Sequence, residues 1–63
     1  MLEERIIKSE NVGKITLELV QENDLFVVYW KECRERLTSA AFTIESEAME
    51  TFMSELNYLK NKG

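Results

Sequence analysis

The run Leu25-Phe26-Val27-Val28-Tyr29-Trp30 constrains this chain more than any other feature. It is apolar on both faces and rich in aromatic and β-branched residues, the signature of a strand at the centre of a sheet. Successive side chains of a strand point to opposite sides. Phe26, Val28 and Trp30 therefore need one cover, and Val27 and Tyr29 need another. In 63 residues there is room for a few strands and one helix, which can cover only one of the two faces.

Upstream, residues 14–19 alternate polar and apolar until Val20 breaks the pattern, with Ile15, Leu17 and Leu19 on one face. Glu22-Asn23-Asp24 supplies turn residues, because Asn and Asp tolerate left-handed geometry. A hairpin about Asn23-Asp24 pairs odd positions of the first strand with even positions of the second. Ile15, Leu17, Leu19, Phe26, Val28 and Trp30 then share a face, whereas a one-residue slip would scatter them. Residues 32–36 are polar and read as the next turn, and residues 37–43 read as a further strand. Residues 5–8 are β-prone and precede a turn at Asn11-Val12-Gly13, so they are expected at a sheet edge.

From about residue 44 the period becomes helical. Ala48, Met49, Phe52, Met53, Leu56 and Leu59 recur at spacings of three and four and make one apolar stripe. Thr43 or Ser46 suits the N-cap, Glu45 and Glu47 the positive end of the dipole, Lys60 and Lys62 the negative end, and Gly63 the stop. The expected fold is α+β in a single domain over residues 1–63. A small antiparallel meander of three to four strands, about 4–43, precedes one C-terminal amphipathic helix, about 44–61, packed on one face.

Composition removes several function classes. The chain has no His and one Cys, so catalysis with an imidazole base and multi-cysteine metal sites are excluded. Asp24 is its only Asp, and it has no glycine-rich phosphate motif. No enzyme activity, cofactor or metal is expected. Twelve acids against eight bases give net −4, which does not invite nucleic acid or an anionic membrane. The longest apolar run has six residues, too few to span a bilayer. Acids stand near the N-terminus where a secretory signal carries bases, and Cys33 reads as an inert free thiol near a turn. A cytoplasmic location is expected.

Three surfaces are left for partners. The sheet face away from the helix collects Val20, Val27, Tyr29 and, with residues 37–43 in register, Ala40 and Phe42. A contiguous apolar patch marks an interface, and so small a core gains from oligomerisation. The expected function is that of a small non-enzymatic regulator or inhibitor of a protein partner, acting as a homodimer through this face. Glu47, Glu50 and Glu55 have no base four residues on, so the helix offers an acidic face to a basic partner, in the extreme as a nucleic-acid mimic. Lys31, Arg34 and Arg36 beside Tyr29 and Trp30 give the alternative of single-stranded nucleic-acid binding, which Glu32 and Glu35 weaken.

Overall fold

A computed structural model describes residues 4–62. Strands β1 (Glu4–Val12), β2 (Ile15–Glu22), β3 (Leu25–Glu32) and β4 (Glu35–Phe42) form one antiparallel sheet in the order β1-β2-β3-β4, and α1 (Glu45–Lys62) packs across all four. The α+β meander expected from the sequence is present with four strands. Its extents of 36 × 25 × 14 Å are those of a two-layer slab. Among the described residues no helix is long and apolar enough to cross a membrane.

Each hairpin turns in two residues: Gly13-Lys14, Asn23-Asp24 and Cys33-Arg34. The first residue of each has positive φ, at 63°, 56° and 57°, the sign that matches strand twist in tight hairpins. Gly adopts it freely and Asn tolerates it; Cys33 has neither advantage. The third turn is therefore shorter than residues 32–36, with Glu32 opposite Glu35 and Lys31 opposite Arg36 inside the ladder. β1 likewise runs on past residue 8, pairing Asn11 with Thr16 and Val12 with Ile15.

The central register is the one the alternation requires: Leu17 faces Trp30, Leu19 faces Val28 and Gln21 faces Phe26. Leu17, Leu19 and Val28 form the core with Ala48, Phe52, Leu56 and Leu59 of α1, and Ile15, Phe26 and Trp30 pack around them. The first backbone bond of α1 runs from the Ala48 N–H to the Ile44 carbonyl at 3.2 Å. Ile44 thus holds the boundary position expected for Thr43 or Ser46, and Ser46 lies inside the helix. Met53, assigned to the apolar stripe, is half exposed at its margin. The expected stop at Gly63 lies outside the described residues.

Both edge strands are bulged. In β1 the register shifts between Ile6 and Lys8, and Ile7 joins the core. In β4, Val28 faces Ala40 while Tyr29 faces Thr38, leaving Ser39 as the extra residue. An extra residue reverses which side the following positions occupy. Continued evenly from Thr38, the strand would turn Ala40 and Phe42 away from the helix. The bulge instead sets Ala40 opposite Val28 and Phe42 opposite Phe26, with Phe42 against the core. This corrects their assignment to the far face.

Phe52 is the largest fully buried side chain, lodged where α1 meets β2 and β3. Phe52→Ala is expected to cost about 3–5 kcal/mol, close to the whole stability of so small a domain. Urea or thermal unfolding checks this. Melting within a few degrees of wild type would place the core elsewhere.

Candidate functional site

On the face away from α1, Val20 stands directly opposite Val27. No helix covers this face, yet Val20 is 0% and Val27 4% exposed. Neighbouring side chains provide the cover. Tyr29 faces Glu18 across the ladder and donates its hydroxyl to Glu22, four residues further along β2. Spanning that interval lays the ring along the strands on the face that carries Val20 and Val27, where Ile6 stands opposite Val20 and Ala41 opposite Val27. The Arg36 guanidinium rests on the ring, 3.9 Å from its centroid. It donates to Glu4 through Nη2 at 3.1 Å and Nη1 at 3.5 Å, and pairs with Glu18 at 3.4 Å.

Glu4 belongs to β1 and Arg36 to β4, the two edges of the sheet. They meet because the right-handed twist draws diagonal corners of the sheet together over one face. Magnitudes rank the contributions. Withdrawing a Val side chain from water contributes about 1.5–3 kcal/mol. A partly exposed cation–π contact contributes about 0.5–1 kcal/mol, and each exposed ion pair about 0.2–1 kcal/mol. Apolar burial therefore contributes most, and the charged groups hold the lid in place. Burial first, then the hydrogen bond to Glu22, pushes the Tyr29 hydroxyl up to about 12. For Arg36, partial burial opposes the charge, but Glu4 and Glu18 outweigh it and raise its affinity for the proton.

The site residues expected from the sequence are therefore divided. Val20, Val27 and Tyr29 share the outer face; the two valines are buried, and the exposed apolar side chains beside them are Ile6, opposite Val20, and Leu25 at the start of β3. Phe42 is on the opposite face. Of the acidic helix positions, Glu47 and Glu50 are exposed, whereas Glu55 turns to the sheet. It accepts hydrogen bonds from the Trp30 indole N–H and from the Ser39 hydroxyl, the latter at 2.7 Å, and so ties α1 to β3 and β4. A Trp on a core face needs an acceptor for its N–H, which is the sequence signal that points to a partner for Trp30. Lys31 and Arg34 are exposed, while Arg36 is committed to Glu4, Glu18 and the Tyr29 ring. The three bases do not converge as a free basic surface. Cys33 is an exposed free thiol at the β3–β4 turn.

What stays open is an edge. β1 carries Lys8 and Glu10, ion-paired at 3.8 Å, at positions opposite core residues Leu19 and Leu17. Both edges carry a bulge, so what sets β1 apart is its inward-pointing charges, a common guard against edge pairing. β4 is exposed over most of its length, and its residues 37–42 carry no charge. Leu37, beside Trp30 in the ladder, is 63% exposed. Comparison of the chain with protein-family models, with curated proteins and with solved structures finds no significant match.

The lid has a pH signature. Folding raises the Tyr29 pKa from 10.0 to about 12, so its contribution is fully present below about pH 10 and is lost as pH rises toward 12. Wild type is expected to lose melting temperature over that interval more steeply than Tyr29→Phe, which has no phenol at this position to ionise. Parallel slopes in thermal melts from pH 9 to 12 would contradict the partly buried, hydrogen-bonded hydroxyl.

Proposed function

We propose that the chain is a small non-enzymatic protein-binding regulator or inhibitor that works as a homodimer, joined at the β4 edge. One observation carries the reading: β4 offers an exposed, uncharged strand edge over residues 37–42, unpaired among the described residues. Such an edge presents unpaired backbone donors and acceptors and is a template for another strand. The β1 edge carries inward-pointing charges, and at the centre of the outer face Val20 and Val27 are already buried. A two-fold axis brings the same surface of each copy together, so the edge with an uncharged stretch, residues 37–42, is the one that can meet itself. Pairing β4 with its counterpart makes an eight-stranded sheet with both helices on one side. Each Leu37 then lies at an end of the paired segment and leaves water there. In this reading the protein partner is met by the joined assembly rather than by a catalytic cleft.

Light scattering tests the joint. Wild type at tens of micromolar is expected at twice the chain mass. Leu37→Lys, at an exposed position, is expected to be a folded monomer, because a charge resists burial in a paired edge. Val27→Glu, by contrast, places a charge beneath the Tyr29 ring and is expected to unfold, as an unpaired buried charge costs several kcal/mol. A monomeric wild type, or a dimeric Leu37→Lys, would remove the β4 joint.

A further inference from the structure

On the helix side of the sheet, a cleft of about 500 Å³ opens between the last turns of α1 and the β1–β2 turn. Trp30, Ile15, Leu59 and Tyr58 form its apolar walls, and Lys14, Lys62 and Glu32 stand among its lining residues. The volume lies within the range of about 300–1,000 Å³ found for small-molecule sites. Two ammonium groups against one carboxylate leave this cleft at +1, in a chain whose net charge is −4. The Lys62 ammonium sits 5.6 Å from the centroid of the Tyr58 ring, which keeps that charge at the cleft. Lys60 and Lys62 in the last turn also offset the negative end of the helix dipole.

We infer that this cleft takes a small amphipathic anion, a medium-chain carboxylate whose alkyl chain lies along Trp30, Ile15 and Leu59 and whose carboxylate meets Lys14 and Lys62. Apolar walls supply the binding surface, and the two ammonium groups select the sign of the head group. No β4 residue lines the cleft, so the inference is independent of the β4 joint.

Trp30 is the only Trp in the chain, and its emission reports on the cleft directly. The full chain is titrated with octanoate and with octylammonium, over concentrations that leave the far-ultraviolet circular dichroism unchanged. Octanoate is expected to give a saturable change in Trp30 emission at millimolar or lower concentration, and octylammonium is expected to give none. A Lys14→Glu, Lys62→Glu double variant with wild-type circular dichroism is expected to bind octanoate about tenfold more weakly, the reach of two exposed ion pairs. The absence of a saturable response to millimolar octanoate would overturn the inference. So would an equal response to octylammonium, or an unchanged affinity in the double variant.

Discussion

The Tyr29 ring over Val20 and Val27 is the contact on which the rest of this small structure depends. β3 is apolar on both sides, and the single helix reaches only one of them. Without a second cover, two adjacent Val side chains at the centre of the sheet would face water. The ring shares that cover with Ile6 and Ala41, which stand opposite the two valines; its hydroxyl is bound at Glu22 and its outer surface lies under Arg36. Arg36 in turn reaches Glu4 across the width of the sheet. A layer built this way keeps the molecule thin, because side chains take the place of a second helix.

The other face is fixed by shape and by one polar clamp. Phe52 fills the space between α1 and the central strands, which sets how closely the layers approach. Glu55 sets their alignment, since it takes hydrogen bonds from Trp30 on β3 and Ser39 on β4 at once. Ser39 is available to it as the extra residue of the bulge. The same bulge turns Phe42 inward, while Leu37, which precedes it, is exposed beside Trp30. One inserted residue thus serves the core, the clamp and the exposed edge together.

Much of this was legible in the residues. The alternation of Ile15, Leu17 and Leu19, set against Phe26, Val28 and Trp30, specified the central register, because a slip would have put apolar groups on both sides. The helix was legible from the spacing of Ala48, Phe52, Leu56 and Leu59. The far end of β4 was not, since Ser39, Ala40 and Ala41 are small and show no alternation that would reveal a bulge. The third turn was hidden because Cys33-Arg34 lacks the usual turn residues. The lid was missed for a different reason. Tyr29 reads as apolar in a periodicity count, and only the twist of the folded sheet brings Arg36 and Glu4 together. Val20 and Val27 were placed on the correct face, but their cover lay in that long-range pairing.

With Val20 and Val27 buried at the centre of the outer face, the proposed joint between copies falls at the β4 edge, where the backbone is unpaired among the described residues. That burial also separates this domain from sheet proteins that present open aromatics to a ligand, since the aromatic here is spent on the protein's own valines. The most direct test is an isotope-filtered NOE measurement on a mixture of labelled and unlabelled chains. Self-cover predicts strong contacts from the Val20 and Val27 methyl groups to the Tyr29 ring within one chain, at every protein concentration. Methyl contacts that appear only between labelled and unlabelled chains would contradict it, and would mean that a second copy, not Tyr29, closes this face.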